Sequence, residues 1–483
     1  MLPDRSGNET VIEAPMLRKR ILKKMPRAAE LLLRRAYGTI PVSIRYGRSY
    51  RDTITLLNES QWWSRDTLKE YQAQRLRLLV HHAYENVPYY RKTFDAHGLR
   101  PEDIRGTEDL RKLPCLTRPL VRDNIDALVA RNYHYSRLQR ETTGGSSGTP
   151  MGLYFERKRT DGIERAFIHT SWKRVGFKPY DRLAVLRGKL ITPTKNGELW
   201  EYDGAERSLI LSSYHMTDDN LRRYVDRIRR FGPDFIFGYP SAVMLLAEYM
   251  NRNSTEPFET VKAVLCGSEN LYPSLRAKLQ TAFNCRVFSW YGHTERAVLA
   301  AECEFDHRYH IFQEYGIVEL LDSHESVIDS PEKIGEVVAT SLINFAFPLI
   351  RYRTGDLASL SSDSCECGRD YPLLEKVEGR SQEFIVTKDG RAITLTALIF
   401  AQHFSAFSKI KLMQIVQDKK GEIKVRIVRA PEYSAVDEDE IRNVMLNSVS
   451  GDLDIGFEYT DEIARTRSGK HRFMVQQLAL TRE

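Results

Sequence analysis

The chain has 483 residues, of which 42% are hydrophobic and 28% charged, with 72 Lys and Arg against 65 Asp and Glu. This length and composition exclude a disordered chain and a single small module, and they predict a large globular protein of more than one part. The formal net charge of +7 is too weak for a nucleic-acid footprint. No apolar run reaches the roughly 18 residues of a membrane span, and the N-terminus lacks a secretory signal. Six cysteines are too few for a disulfide scaffold, so we expect a reduced, cytoplasmic setting.

The first stretch, residues 1–45, reads as a basic helical lead-in. Apolar residues alternate with lysine and arginine between residues 17 and 35, and Pro26 interrupts the pattern. One interpretation is a helix on an anionic membrane surface, which would make the protein membrane-peripheral. The interpretation we favour is a solvated helix that packs one stripe on the body of the protein.

Helical and strand patterns then alternate along the chain. An apolar stripe predicts a helix between residues 60 and 90 that Pro88 stops. Further on, strands are predicted at 153–155, 235–237, 261–266 and 286–290, with helices at 162–175, 221–228 and 273–283. Strands that alternate with helices predict an α/β fold with a parallel sheet.

The pattern changes beyond Gly379. Strands are predicted at 384–387, 412–417, 423–427 and 455–459, and helices at 395–403 and 438–447. We therefore expect a large domain of residues 1–379 and a small C-terminal α+β domain of residues 380–483.

The most distinctive local feature is the Gly/Ser/Thr cluster from Thr142 to Pro150. Its three glycines allow left-handed turns and close approach to a ligand, and successive backbone N–H groups can form an anion-binding concavity. A polyphosphate is the obvious ligand, although no Lys-Ser or Lys-Thr ends the segment as in a Walker loop. The alternative is a flexible surface loop.

Three more segments have the character of loops at strand ends: residues 291–295, 353–356 and 465–470. Glu295 could hold Mg²⁺, Asp356 could hold ribose hydroxyls, and Lys470 could neutralise developing charge. Each residue alone could equally be an ordinary turn residue. Their order along the chain gives the stronger signal.

In that order the segments resemble the motifs of the adenylate-forming superfamily of acyl-CoA synthetases, luciferase-like enzymes and peptide-synthetase adenylation domains. Residues 379–383 are similar to the inter-domain hinge motif, with Gln382 where Asp or Lys is usual. Residues 83–90 and 347–356 are similar to the phenylacetate-CoA ligase group, and within it to capsular-polysaccharide-biosynthesis-type proteins. The resemblance implies a large α/β domain with mixed and parallel sheets, and a small domain on a hinge that carries the catalytic lysine.

The resemblance also implies a two-step reaction, in which a carboxylic acid is adenylated by ATP and the acyl group then passes to a nucleophile. The implied catalytic residues are Lys470, Thr294 and Glu295, the last also as a Mg²⁺ ligand. The implied ATP-binding residues are Thr142, Thr143, Gly144, Gly145, Ser146, Ser147, Gly148, Thr149, Gly267, Ser268, Glu269, Tyr291, Gly292, Asp356 and Arg380. The expected acyl-pocket residues are Phe237, Gly238, Tyr239, Pro240, Trp290 and His293.

Three functions follow as alternatives. The first is an acid:coenzyme A ligase for an aromatic or other small carboxylic acid. The second keeps the adenylation but transfers the acyl group to an amine or hydroxyl of a cell-surface saccharide precursor. The third is a non-catalytic nucleotide-binding protein on the same fold, and the presence of Lys470, Glu295 and Asp356 argues against it.

A metal site is expected from four further residues: Cys303, His310, Cys365 and Cys367. Some members of the phenylacetate-CoA ligase group are similar in carrying a structural zinc on such a set, and three thiols with an imidazole suit tetrahedral Zn²⁺. His307 is the rival to His310. The alternative is a set of unpaired cysteines near a turn.

Overall fold

The computed structural model describes residues 27–143, 151–187, 191, 197–213, 215–331, 333–380, 384–390, 392–394, 406, 409–449, 452–464 and 471–478. The helices are α1 (Arg27–Thr39), α2 (Val42–Arg45), α3 (Gly47–Ser60), α4 (Arg65–Asn86), α5 (Pro88–Ala96), α6 (Arg118–Asp123), α7 (Arg159–Lys173), α8 (Asp218–Phe231), α9 (Pro240–Arg252), α10 (Pro273–Phe283) and α11 (Ala435–Ser448). Single 3₁₀ turns lie at Pro101–Asp103, Thr107–Lys112 and Tyr135–Arg137. Across these described ranges, no helix combines the length and the apolar character needed to cross a membrane.

The strands of the large sheet follow one another over most of the chain. They are β3 (Leu183–Leu186), β4 (Trp200–Asp203), β5 (Ser208–Leu211), β6 (Phe235–Gly238), β7 (Ala263–Cys266), β8 (Arg286–Gly292), β9 (Leu299–Ala301), β10 (Tyr309–Ile311), β11 (Gly316–Leu321), β12 (Gly335–Ser341), β13 (Tyr352–Leu360) and β14 (Leu373–Arg380). The remaining strands are β1 (Leu138–Thr142), β2 (Gly152–Glu156), β15 (Phe384–Val386), β16 (Ala392–Thr394), β17 (Ile410–Lys419), β18 (Glu422–Arg429), β19 (Asp454–Tyr459) and β20 (Met474–Gln476).

The predicted α/β class is confirmed by a twelve-stranded mixed sheet in the order β11-β12-β13-β14-β10-β9-β8-β7-β6-β3-β5-β4. Strands β5, β3, β6, β7 and β8 run parallel, because α8, α9 and α10 supply the crossovers between them. The other half of the sheet supplies the mixed character that the resemblance implies. From β8 to β14 the described neighbours pair antiparallel.

Helix α8 shows how the sequence pattern produces the fold. Its buried face is Leu221, Tyr224, Val225 and Ile228, the spacing on which the prediction rested. The Thr217 side chain accepts the N–H of Asn220, and Gly232 ends the helix in the left-handed region with φ +59°. The helix therefore begins and ends where its sequence supplies caps.

The helix predicted between residues 60 and 90 is confirmed as α4, which ends at Asn86, just before the proline predicted to stop it; Pro88 is then the first residue of α5. One local prediction is wrong. Residues 353–356 are not a loop, since they lie inside β13 and pair with β12 and β14 across register shifts. Gly355 supplies a positive φ of +78° within that strand, which gave the segment its turn-like composition.

A second, four-stranded sheet of order β19-β18-β17-β20 lies in the C-terminal part with α11. Ile423, Val425 and Ile427 of β18 point inward, as the clean alternation predicted. Their buried cluster is continuous with residues of the parallel half of the large sheet. The helix predicted at 395–403 lies outside the described residues.

Only the end of the basic lead-in falls in the described ranges. In α1, Gly38 packs against the backbone of Gly204. This close approach needs glycine, because a Cβ atom at Gly38 would collide with the carbonyl oxygen of Gly204. Leu32 is 68% exposed on the same helix. One side of α1 therefore rests on the body of the protein, and residues 1–26 lie outside the description.

Candidate functional site

The carboxyl ends of the parallel strands form one row. Leu186, Gly238, Cys266 and Ser289 pair across β3, β6, β7 and β8. The next residues along each strand are Arg187, Tyr239, Gly267 and Trp290. We call these four the edge row. Ligands of open α/β sheets bind in the crevice outside the carboxyl ends of the strands, so the edge row is the expected place for chemistry.

Aromatic rings close one side of the edge row. The Phe237 and Trp290 ring centroids lie 5.6 Å apart, and Trp172 contacts both rings at 5.0 and 5.6 Å. A Cβ atom on Gly267 would lie 2.7 Å from the Trp290 ring, so only glycine lets the indole lie against this backbone. The structure thus brings together the predicted acyl residues Phe237 and Trp290. Tyr239 packs in a different buried cluster and lies between Gly238, which ends β6, and Pro240, which begins α9.

Glu269 connects three parts of the chain. Its carboxylate accepts the N–H of Ser241 at 2.9 Å, the Ser241 hydroxyl at 3.1 Å and the N–H of His471 at 3.0 Å. Ser268, the residue before it, has a left-handed φ of +69°. The predicted adenine segment is therefore bonded to the start of α9 and to the residue that follows Lys470.

Tyr291 and Asp356 meet although they lie on β8 and β13. The Tyr291 hydroxyl donates to Oδ2 of Asp356 at 2.7 Å. Asp356 is buried, its N–H donates to Oγ1 of Thr354 at 3.0 Å, and it pairs in register with Arg380 of β14. The predicted adenine and ribose residues thus share one site.

Glu295 is a buried carboxylate, with 4% of its surface exposed. Its Oε1 accepts a guanidinium N–H of Arg118 and the hydroxyl of Tyr352, both at 3.0 Å. Its Oε2 lies 3.2 Å from Nδ1 of His293. Burial, reinforced by the Glu295 charge, raises the pKa of the Tyr352 hydroxyl, so Tyr352 stays a neutral donor.

Sequence reasoning missed Arg118 and Tyr352 as partners of Glu295. Tyr352 lies inside segment 347–356, which resembles the phenylacetate-CoA ligase group. Its position next to Arg353 in that segment was the signal that could have marked it as a site residue. Arg118 lies 177 positions before Glu295, and nothing in its local sequence points to this contact. Thr294 follows β8 in a turn and is half-buried.

The Gly/Ser/Thr segment is held at its base by a hairpin. Thr142 pairs with Gly152, and Thr143 and Met151 exchange two hydrogen bonds of 3.0 Å. The two ends of the segment therefore meet. The remaining predicted residues of this group lie outside the described residues, as do the hinge and lysine residues: Gly144, Gly145, Ser146, Ser147, Gly148, Thr149, Gln382 and Lys470.

The four predicted metal ligands lie together. Cys303, His310, Cys365 and Cys367 place their ligand atoms within 4.8 Å of one another. The sulfurs of Cys303 and Cys365 are 3.4 Å apart, and Cys367 Sγ lies 3.6 Å from Nε2 of His310. We call these four residues the sulfur cluster. His307 is not part of it, because its Nδ1 lies 3.3 Å from Oε2 of Glu302.

The chemistry of the sulfur cluster fits a closed tetrahedral Zn²⁺ site, with three thiols and one imidazole around a common centre. The N–H groups of Phe305 and Asp306 donate to the Cys303 sulfur at 3.4 and 3.3 Å. Hydrogen bonding from Cys303, with the nearby His310, lowers the pKa of Cys367 and favours its thiolate.

Comparisons with known proteins match two parts of the chain to known families. Residues 207–340 match the AMP-binding enzyme family, and residues 385–477 match the CapK C-terminal domain. Protein CapK of Staphylococcus aureus is 24% identical over 453 residues, which cover 91% of this chain and 95% of that protein. The phenylacetate-coenzyme A ligase of Escherichia coli (strain K12) is 29% identical over 344 residues, covering 70% and 76%.

Solved structures share the fold. A 2-hydroxyisobutyryl-CoA ligase in the postadenylation state with 2-HIB-AMP superposes with a TM-score of 0.70 at 18% identity, covering 87% of this chain and 93% of that one. An open conformation of 2-hydroxyisobutyryl-CoA ligase, in complex with 2-HIB-AMP and CoA, gives a TM-score of 0.58 at 20% identity, covering 86% and 95%.

Proposed function

We propose that this chain, which belongs to the adenylate-forming superfamily and within it to the phenylacetate-CoA ligase group and its CapK-like branch, is an AMP-forming ligase that activates a carboxylic acid with ATP. The observation that carries the proposal is the convergence at one edge of the sheet. Tyr291 holds Asp356 there, and Glu269 holds the N–H of His471.

The reaction has two steps. A carboxylate oxygen of the acid attacks the α-phosphorus of ATP, the bond to pyrophosphate breaks, and acyl-AMP forms. A nucleophile then attacks the acyl carbon, and AMP leaves. The chain's part is positioning and charge stabilisation, as is usual where phosphorus is the reacting centre.

The proposed role of each residue is the one that the family resemblance implies. Asp356 accepts bonds from the ribose hydroxyls, and Thr142 and Thr143 with residues 144–149 hold the β- and γ-phosphates. Lys470 supplies positive charge where the pentavalent phosphorus develops negative charge. The contact of His471 with Glu269 supports this role for Lys470, because it fixes the adjacent residue at the adenine segment.

Mg²⁺ fits Glu295 through one oxygen. Oε1 already accepts bonds from Arg118 and Tyr352, whereas Oε2 is on the side of His293. Mg²⁺ commonly takes one or two carboxylates and completes its shell with water and substrate phosphates. When bound, it would neutralise phosphate charge. Arg118 and Tyr352 orient the Glu295 carboxylate for that contact.

Coenzyme A is the proposed acceptor, since four of the curated relatives are phenylacetate-coenzyme A ligases. The second candidate is an amine or hydroxyl of a cell-surface saccharide precursor. The match to protein CapK over nearly the whole chain favours it, because the phenylacetate-coenzyme A ligase of E. coli aligns over only 70% of the chain.

We also propose a structural zinc on the sulfur cluster, which joins the end of β9 and strand β10 to the loop between β13 and β14. Residues 380–483 act as the mobile catalytic domain about Gln382, with Arg380 beside the ribose. The six free cysteines favour a cytoplasmic setting, and the basic residues 1–45 could add peripheral membrane contact.

The proposal is tested by ATP–pyrophosphate exchange with a panel of carboxylic acids. We expect exchange that depends on the acid, and AMP as the nucleotide product. Addition of coenzyme A should then give a thioester if the first acceptor is right. ADP as the product, or exchange that no acid stimulates, would contradict the function.

A further inference from the structure

Arg187 stands at the carboxyl end of β3, the first position of the edge row. Its Nη2 donates to Oγ of Ser268 at 2.6 Å. Its guanidinium carbon lies 4.7 Å from the ring centroid of Phe237 and 5.1 Å from that of Tyr239. An aromatic pair and one hydroxyl thus hold a planar cation beside the predicted acyl pocket.

The contacts described for Arg187 are that hydroxyl and those two rings, and they supply no negative charge. Arg187 is half-buried, and two buried arginines of the chain differ from it. Arg296 pairs with Glu141 at 3.1 Å, and Arg351 pairs with Glu319 at 3.0 Å. An arginine is always protonated in a protein, so Arg187 is a fixed cation whose described neighbours leave its charge unmatched.

A small cleft of about 20 Å³ adjoins this arginine. Its lining is largely apolar with a few charged groups: Leu183, Val185, Arg187, Asp203, Glu206, Ser208, Ile210 and Phe237. This volume holds about one water molecule. The cleft lies along β3 and β5, on the side of Phe237.

The two carboxylates of the cleft are already matched. Glu206 pairs with Arg45 at 3.2 Å and accepts the Tyr46 hydroxyl at 3.1 Å. Asp203 accepts the N–H of Ala205 at 2.9 Å and lies 3.5 Å from Nη1 of Arg34. Among the charged residues that line the cleft, Arg187 is therefore the one whose described contacts include no opposite charge.

Arg187 lies at the opposite end of the row from the strand that carries the predicted adenine and ribose partner Tyr291. Strands β6 and β7 stand between β3 and β8. At roughly 4.8 Å per strand, Arg187 is about 14 Å along the row from Tyr291. The arginine thus lies at the acyl end of the row.

We propose that Arg187 is a specificity-determining residue that pairs with a second anionic group on the substrate acid. This inference rests on the proposed function and names its substrate class: a carboxylic acid that also carries a carboxylate or a phosphate. An apolar acid leaves the arginine covered and unpaired, whereas a planar anion receives two parallel hydrogen bonds. An aromatic acid without a second anionic group is then not the preferred substrate.

The test measures pyrophosphate exchange with matched acids, pentanoate against glutarate and phenylacetate against 4-carboxyphenylacetate. For the wild-type protein we expect kcat/KM to favour the dianionic member of at least one pair by about tenfold or more. Arg187→Leu should lower that preference on the order of 10²-fold and leave the KM for ATP unchanged. Arg229→Leu is the matched control, because Arg229 is exposed and lies over the Phe258 ring at 5.9 Å, on α8.

Two results would overturn the inference alone. The first is a wild-type preference for the apolar member of both pairs, which would contradict the role of Arg187 but not the adenylation function. An unchanged acid preference in Arg187→Leu, with a raised KM for ATP, would assign the arginine to the nucleotide instead. Bound ATP with no exchange for any acid would contradict the proposed function, and this inference with it.

Discussion

The edge row and the sulfur cluster lie on the same large sheet but are organised differently. The sulfur cluster joins antiparallel strands, and its four donors face one another within 4.8 Å. The edge row stands on parallel strands. Glu269, two residues after Gly267 of the row, accepts one of its bonds from His471 of the C-terminal part. The ligand atoms of the cluster lie together within the large sheet, whereas the contacts at the row include a residue from the C-terminal part. The comparison separates a set of groups that one sheet assembles from a site that two parts of the chain share.

The sharpest test of this division removes the charge that the C-terminal part supplies. Lys470→Ala should lower pyrophosphate exchange by roughly 10²–10³, the scale of losing one preorganised charge donor. ATP binding, measured by equilibrium dialysis, should survive. Lys424→Ala, an exposed lysine of β18, is the control and should exchange normally. Unchanged exchange in Lys470→Ala would contradict the role of this lysine.

A smaller effect is expected from the ribose contact. Asp356→Asn keeps the shape but removes the charge that strengthens hydrogen bonds from hydroxyls. A charged hydrogen bond is worth about 1.5–3 kcal/mol, so the KM for ATP should rise about 10- to 100-fold. Asp439→Asn, on the exposed side of α11, should behave as wild type. Equal KM values for ATP in the two variants would show that Asp356 does not bind the ribose.

The sulfur cluster should respond in stability and metal content instead. Wild-type protein should contain about one equivalent of zinc, since three thiols and one imidazole complete a tetrahedral shell. Cys365→Ser combined with Cys367→Ser should lose the zinc and lower Tm, and Cys115→Ser should lose neither. Metal analysis by mass spectrometry with a thermal melt measures both. Full zinc retention in the double variant would rule out this site.

The smallest effect lies outside both regions, on α9. Burial raises the pKa of Glu248 to about 7. Because the folded-state pKa exceeds the unfolded value, the folded state binds the extra proton, and stability falls as the pH rises from about 4.5 through 7. Glu248→Gln should therefore stabilise the protein by about 1 kcal/mol at pH 8 and leave it unchanged at pH 4. The exposed Glu259→Gln is the control. Denaturant unfolding with no pH-dependent gain would contradict this.

Much of the fold was predictable because local patterns decide it. The face of α8 and the alternation of β18 follow from spacing alone, and the four cysteine and histidine ligands follow from their type and grouping. The segment 353–356 misled because Gly355 gives a strand the composition of a turn. Arg118, Ser241 and Arg187 were missed as site residues because their contacts depend on tertiary approach, which no local pattern records.

The most direct test of the central claim follows an oxygen atom. The acid is labelled with ¹⁸O in its carboxylate, turned over with ATP and an acceptor, and the products are examined by mass spectrometry. Attack of the carboxylate on the α-phosphorus predicts one ¹⁸O in AMP, because the bridging oxygen leaves with AMP when the acceptor takes the acyl group. Unlabelled AMP, or ¹⁸O in inorganic phosphate, would contradict adenylation at this site.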